Sequence, residues 1–267
     1  MKGALRVRQG RPIRLQDIDP DFDGGFGDKK AARTSLEQDL ERLRERQKLL
    51  YADGRYALLV VLQAMDTGGK DGTVRHVLSG LNPSGCTVTS FKVPCAHDLA
   101  HDFLWRIHRE TPARGVIGVF NRSHYEDVLV VRVHELVPRD VWKARYQQIN
   151  EFERMLTENG TKIVKFYLHI SKAEQKRRLK ARLAEPEKNW KFSEGDIAER
   201  KLWPRYVEAY EDAINKCSTE WAPWYVVPAN VKWARDAMIA RVLLDTMDSM
   251  RLRWPKITSR AMKTKIR

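Results

Sequence analysis

The chain has 267 residues, of which 42% are hydrophobic, with 11 Pro and 15 Gly, a composition that builds one large or two small packed domains rather than a disordered or fibrous chain. Lys and Arg number 49 against 35 Asp and Glu, and the net charge of +14 draws polyanions: nucleic acid, an anionic membrane surface or a phosphorylated substrate. Three scattered cysteines (Cys86, Cys95, Cys217) form neither a disulfide framework nor a zinc knuckle, and the longest apolar run, 57–62, is far too short for a membrane span, so a secreted mini-domain and a membrane protein are set aside.

Residues 1–33 read as an irregular arm without the apolar stretch of a secretory signal; Pro12, Pro20 and the run DFDGGFGDKK are turn chemistry. A helix is expected from Thr34 or Ser35, where Leu36, Leu40, Leu43 and Leu50 share a face, Glu37 follows the cap and Gly54 ends the pattern. Beyond it strands and helices alternate. Apolar runs of strand length fall at 56–63, 86–93, 115–121, 162–170 and 224–228, several of them apolar almost throughout, as strands covered on both faces are. Helical patterns fall at 70–81, 98–109, 123–131, 139–159, 172–217 and 232–252. This predicts an α/β fold with a parallel five-stranded sheet flanked by helices. Pro186 breaks the basic helical region, and residues 172–200 read as a helical hairpin, a mobile lid on a single domain of 34–254 that a basic tail, 255–267, follows.

Three stretches carry chemistry. In 58–77 an apolar strand runs into a Gly-rich turn ending in Gly69-Lys70, and a helix opens behind it. A phosphate loop needs that order: backbone amides cradle phosphate oxygens, the helix end adds its dipole, and the Lys reaches the transferring phosphates. Ala64 stands where the usual motif has its first Gly, and Asp71 where it has Ser or Thr. Thr67, Gly68, Gly69, Lys70, Asp71, Gly72 and Thr73 are the phosphate- and nucleotide-binding candidates, and Asp66 is a carboxylate for a metal or a substrate hydroxyl. An ordinary glycine turn is the competing reading.

In 115–133 a second strand ends in Asn121-Arg122-Ser123, followed by Tyr125, Glu126 and Asp127. Acidic residues at that edge, beside a phosphate loop, are placed to hold Mg²⁺, and Arg122 would share the crevice. The competing reading is a helix cap, with Ser123 and Glu126 as a capping box. The third stretch is the lid, with Lys172, Lys176, Arg177, Arg178, Lys180, Arg182, Lys188 and Lys191. Most charge runs are solvated surface, yet Arg178 and Arg182 share a helical face and with Arg177 could clamp successive phosphates. His97 and His101, with Asp98 and Asp102 close by, have a spacing that zinc can use but lack an evident third ligand. Trp105 and Trp190 lie among basic residues, where a base could stack.

Together, A-x-D-x-x-G-K-D-G at 64–72, F-N-R-S-H-Y-E-D-V-L at 120–129, the stretch from His169 through Arg178, Arg182, Trp190-Lys191 and Asp196 to Tyr206, and A-P-W-Y-V-V-P-A at 222–229 resemble the family-2 polyphosphate kinases over roughly residues 30–250. The family's loop lacks the first Gly and carries an internal Asp, as this one does. The resemblance implies a P-loop kinase fold similar to thymidylate kinase, and Mg²⁺-dependent, reversible phosphoryl transfer between inorganic polyphosphate and adenine, with guanine as a further option, nucleotides. Asp66 and Asp127 would then be the metal and acceptor-orienting carboxylates. Lys70 and Arg122 would bind the reacting phosphates, and Arg178 and Arg182 would be lid cations. Asn121 and Glu126 join the nucleotide-binding set, Glu126 as the residue that reads the nucleotide. Apart from the resemblance, Arg75, Lys29 and Lys92 are candidate polyphosphate contacts because they lie near the inferred site, and Arg177 because it neighbours the lid cations. The Glu126-Asp127 pair resembles the subgroup that accepts both AMP and ADP.

The resemblance further implies a homo-oligomer, dimer or tetramer, and the cysteines suit a cytoplasmic setting, with neither a membrane nor a specific nucleic acid as partner. The charge supports the donor independently, since a polyphosphate chain carries about one negative charge per unit and needs a long cationic groove. The alternatives are an ATP-dependent nucleoside monophosphate kinase on the same fold, and a basic nucleic-acid-binding protein, for which no reader motif is present.

Overall fold

A computed structural model of the chain describes residues 3–256, so most of the expected basic tail, 257–267, lies outside the described residues. In chain order the elements are β1 (Leu5–Arg6), α1 (Lys29–Asp53), β2 (Ala57–Ala64), α2 (Lys70–Val77), β3 (Cys86–Ser90), α3 (Ala96–Leu99), α4 (Trp105–Arg109), β4 (Ile117–Asn121), α5 (Val130–Val133), α6 (Arg139–Glu158), β5 (Thr161–His169), α7 (Lys172–Ala184), α8 (Pro186–Asn189), α9 (Gly195–Lys201), α10 (Trp203–Cys217), β6 (Trp224–Pro228) and α11 (Lys232–Ser249), with short 3₁₀ turns at Leu15–Asp17, Pro83–Gly85 and His124–Asp127.

The strands form one mixed sheet in the order β1-β6-β5-β2-β4-β3. The five expected strands are all present and parallel, and a sixth corrects the expected count: β1 pairs antiparallel with β6, Leu5 facing Val226. A two-residue strand has no periodicity of its own, and its partner strand creates it. The arm is tied down further. Val7 and Leu15 are buried in the core, Ser218 Oγ donates to Val7 O at 2.7 Å, and Asn215 bonds both the N–H and the C=O of Ile13.

All eight residues of β2 are buried, because it sits between β4 and β5 and is covered on both faces. Against the sheet, α6 packs on β5, and α11 packs on β5, β6, α1 and α2. α1 begins at Lys29, earlier than the Thr34–Ser35 expectation, because Asp28 caps it by accepting from Ala31 N at 2.7 Å; Gly54 ends it at φ 64°. The long pattern at 172–217 divides into α7 to α10, and the pattern at 98–109 into α3 and α4.

Because β2, β4 and β5 are parallel neighbours, the turns that leave their C-terminal ends meet at one edge: the loop after Ala64, the segment after Asn121 and the start of α7. Ligands of open α/β sheets bind in the crevice at such an edge, where the chain departs to opposite sides from a central strand.

Candidate phosphoryl-transfer site

The loop between β2 and α2 has a shape that only its own residues permit. A Cβ on Gly68 would lie 2.3 Å from Ala64 Cβ and 2.8 Å from Met65 O. Gly69 adopts φ 102°, and a Cβ there would meet the Arg235 guanidinium at 2.2 Å. Thr67 accepts a left-handed φ of 63°. α2 starts directly behind, so its first amides, which have no partner within the helix, face the crevice with the positive end of the dipole.

The loop's carbonyls are engaged from behind. Arg178 of α7, 7% exposed, donates through Nη1 to Thr67 O at 3.0 Å and Gly68 O at 3.1 Å, and through Nη2 to Ala229 O at 2.5 Å. Its Nε donates to Glu174 Oε1 at 2.6 Å, and Gln175 Nε2 donates to Asp66 O at 3.2 Å. On the α11 side Arg235, 1% exposed, is fixed to Asp236 Oδ1 at 2.7 and 2.8 Å and lies against Gly69, while Asp236 Oδ2 is 3.0 Å from His76 Nδ1. With the carbonyls taken, the amides are what the loop offers a ligand. Thr67 and Thr73 add buried hydroxyl oxygens without hydrogen-bond partners.

Lys70 donates to Ala64 O at 3.2 Å, and burial, then the charge of Arg122, pulls its ammonium below the ordinary Lys value against Asp66 and Glu126. Arg122 also holds a left-handed backbone, φ 64°, with its N–H on Leu62 O at 3.1 Å, and its guanidinium is 3.5 Å from Asp66 Oδ1. Asp66, Arg122 and Glu126 line one cavity of about 280 Å³, which Tyr206, Tyr210 and Trp203 of α10 close from above. Burial raises the Glu126 carboxyl, against Arg122 and Lys70. The capping box does not form: Ser123 Oγ accepts from Tyr125 N, and Glu126 lines the cavity instead.

The other sequence candidates divide. Asp127 is bonded to Arg145 of α6 at 3.1 Å and is not among the cavity-lining residues, so the structure brings Asp66 together with Glu126 rather than with Asp127. Arg178 is a buried anchor of the loop, whereas the lid clamp expected of it requires a free cation. Arg177 pairs with Glu174, and Arg182 donates to Lys191 O and Asp196. Asp71 accepts from Asn121 Nδ2 at 2.8 Å and lies 3.4 Å from Lys191 Nζ, which ties the loop to β4 and to the lid; burial raises its carboxyl, but these two partners outweigh that and leave it below its ordinary value. Gly72 sits beside Arg235, while Lys29, Arg75 and Lys92 are exposed cations outside the cavity. His101 stacks on Trp105 at 4.0 Å and Arg109 lies 4.7 Å from the same ring, so Trp105 offers a base no open face; Trp190 is 78% exposed beneath Lys191. Among the described residues no three His, Cys, Asp or Glu side chains gather as a metal site, and His97 packs on Trp105 as well.

Arg235, Asp236, Glu174 and the lid-side group of Tyr206, Glu199 and His134 were not among the sequence candidates. Tyr206 OH donates to Glu199 Oε2 at 2.6 Å, and His134 Nε2 lies 2.9 Å from Glu199 Oε1, which joins α9 to the body beside the cavity. Glu174, Glu199 and Tyr206 lie within the stretch 169–206 that carries the resemblance but had no role there, and Arg235, Asp236 and His134 stand in no local motif; the packing of α7, α10 and α11 on the crevice reveals what they do. An amide-lined loop with Lys70, beside a cavity lined by Arg122 and the carboxylates of Asp66, Glu126, Asp196 and Glu199, can bind phosphates and stabilise the charge that moves in phosphoryl transfer.

Comparison with known proteins gives a consistent result. The sequence profile of polyphosphate kinase 2 matches residues 27–255. The chain is 53% identical over 252 residues to the AMP/ADP-polyphosphate phosphotransferase of Meiothermus ruber, covering 94% of each chain. It is 47% identical over 266 residues to the ADP-polyphosphate phosphotransferase of Rhodopseudomonas palustris, covering 95% of this chain and 92% of that one. Its fold superposes on the crystal structure of polyphosphate kinase 2 from Arthrobacter aurescens TC1 with a TM-score of 0.91 at 48% identity, covering 95% of this chain and 90% of that one.

Two consequences are measurable. Arg178→Met takes one of two arginine partners from Glu174, leaves the carbonyls of Thr67, Gly68 and Ala229 without their donor, and should cost about 1–3 kcal/mol in urea unfolding; a change inside roughly ±0.5 kcal/mol would mark a solvated lid cation instead. Asp127 has a pH signature. Burial lifts its carboxyl to about 6 against the pull of Arg145, above its ordinary 3.8. The folded chain therefore keeps a proton that the unfolded chain releases, and the stability this contributes is present below roughly pH 4 and lost as pH rises through about 6. Asp127→Asn should flatten that fall in melting temperature, and an unchanged slope would contradict the assignment.

Proposed function

The chain belongs to the polyphosphate kinase 2 family, and on that premise we propose how its site works: it transfers phosphoryl groups from inorganic polyphosphate to nucleotides, making ATP from ADP and ADP from AMP. The observation that carries the reading is the convergence of Asp66, Arg122 and Glu126 on one cavity beside an amide-lined loop. The strand order with the loop after a central strand supports the thymidylate-kinase-like form of the P-loop fold.

The acceptor nucleotide takes the cavity, its base toward Trp203 and Tyr206 and its terminal phosphate toward the loop. That phosphate's oxygen is already anionic near neutral pH, so no strong general base is required. It attacks the end phosphorus of the polyphosphate chain. The new P–O bond forms as the bond to the next bridging oxygen breaks, and the shortened chain leaves with the electron pair. Lys70, Arg122 and the amides of Gly69 to Gly72 neutralise the oxygens, and the work is positioning and charge. Asp66 and Glu126 are hard oxygen donors on one wall, too few for an all-protein cage and suited to Mg²⁺, which binds through one or two carboxylates together with substrate phosphates. When bound, the ion supplies further charge neutralisation. Of the two carboxylates the resemblance assigned to metal, Asp66 keeps that role and Glu126 joins it, and Asp127 holds the segment onto Arg145.

Polyphosphate reaches the loop from the other side. The cavity has Asp66, Glu126, Asp196 and Glu199 on its walls, an arrangement that repels a long polyanion. Behind the loop, Lys232 has its ammonium lowered by burial and then by the nearby charges of Arg178, Arg235 and Arg177; of these cations Lys232 and Arg177 are exposed, while Arg178 and Arg235 are buried in their pairs with Glu174 and Asp236. Arg75 lies on α2 and Lys29 opens α1, and both helices pack on α11; Lys92 follows β3. Arg182 acts through the lid, holding Lys191 near Asp71. The family resemblance supports a homo-oligomer, dimer or tetramer, and guanine nucleotides are a further option as acceptors in this proposal. Three free thiols and nucleotide substrates support a cytoplasmic setting; among the described residues no helix is long and apolar enough to cross a membrane.

The test is ATP formation from long-chain polyphosphate, Mg²⁺ and ADP, with AMP in parallel. ATP from both, and a loss of about a hundredfold or more in Asp66→Asn and Lys70→Ala, is the expected result. Turnover only with ATP plus a nucleoside monophosphate would replace the donor, and wild-type rates in either variant would overturn its role.

A further inference from the structure

Beneath the segment that carries Arg122 and Glu126 lies a charged group that never meets the cavity. Lys165, in the middle of β5, has 0% exposure, as do Glu153, Tyr125 and His124. Its ammonium donates to Glu153 Oε2 at 2.5 Å, Tyr125 OH at 2.8 Å and Cys217 O at 2.7 Å, so all three protons are placed. Glu153 Oε1 in turn accepts from Tyr125 OH at 2.9 Å and lies 3.2 Å from His124 Nε2. A β-strand residue and a helix residue thus hold two consecutive side chains of the turn at His124–Asp127.

Burying an ion pair costs desolvation that its attraction does no more than offset, and apolar residues of the same volume pack as well. What such a pair provides is direction. His124 and Tyr125 stand between Arg122 and Glu126, and Arg122 is in the left-handed region at φ 64°, a conformation that persists only where its surroundings over-determine it. We propose that the Lys165–Glu153 pair is the positioning device of the site: by clamping Tyr125 and His124 it holds Arg122 over the loop and turns Glu126 into the cavity. Lys165, Glu153, Tyr125 and His124 are positioning residues, acting through two groups that meet the substrate. The inference rests on the phosphotransfer reading above.

The test is a kinetic cycle. Tyr125→Phe keeps the ring and its packing and removes both hydroxyl hydrogen bonds. It should lower kcat for ATP formation from polyphosphate and ADP about tenfold to a hundredfold, with KM for both substrates little changed and the fold intact by circular dichroism. On an Arg122→Ala/Glu126→Gln background the same change should lower kcat by less than about twofold, because both groups it positions are gone. A structural role alone would give equal losses in both backgrounds. Equal losses, or a wild-type kcat in Tyr125→Phe, overturn the proposal. Should that variant not fold, Lys165→Met/Glu153→Gln, which removes both charges together, enters the same cycle with the same two outcomes. A wild-type chain that makes no ATP would instead overturn the functional reading, and the positioning claim with it.

Discussion

The guanidinium of Arg178 takes the carbonyls of Thr67 and Gly68 from behind the phosphate loop, and the site in front of the loop follows from that engagement. A tight Gly-rich turn has as many carbonyls as amides, and an anion site requires the two to be sorted. Hydrogen bonds to a charged group are worth about 1.5–3 kcal/mol each, enough to hold the sorted form before any ligand arrives. Glu174 fixes the guanidinium in turn, and Arg235 with Asp236 closes the opposite flank at Gly69. The left-handed backbones of Thr67 and Arg122 are strain that this framework carries.

A second consequence is the division of charge. The net +14 is not spread evenly around the reaction centre. The cavity gathers four carboxylates around a single guanidinium, and the exposed cations near Arg178 and Arg235 are Arg177 of α7 and Lys232 of α11. A nucleotide carries few charges and an apolar base, which suits a pocket with aromatic walls and carboxylates that a divalent ion can bridge. A long polyanion gains by neutralising many phosphates with Lys and Arg and by releasing their counterions, which suits the cationic side. Two substrates of very different charge density can then meet at one loop without competing for one surface.

The sequence made the parallel strands legible because each is an unbroken apolar run, and the loop legible because its chemistry is contiguous. It could not show β1, since two residues of extended chain become a strand only beside β6. Charge on a helix says that a cation is present and not which way it points: Arg177 is exposed and its neighbour Arg178 is buried, a difference of one position on α7 that the packing of Ala229 and the loop decides. The same ambiguity separates Glu126 from Asp127. Both follow the strand edge, and the 3₁₀ turn, clamped through His124 and Tyr125, sends one to the cavity and the other to Arg145. Arg235 and Lys165 had no local signature, because a buried charge in a helix or strand takes its meaning from partners distant in sequence.

We propose that donor and acceptor approach the loop from separate sides, and the most direct measurement of this is polyphosphate binding by calorimetry in the presence and absence of saturating ADP. Separate sites predict that saturable polyphosphate binding persists when ADP is bound, with an apparent Kd that levels off as ADP rises. Competitive displacement, with an apparent Kd that climbs in proportion to ADP without limit, would contradict it.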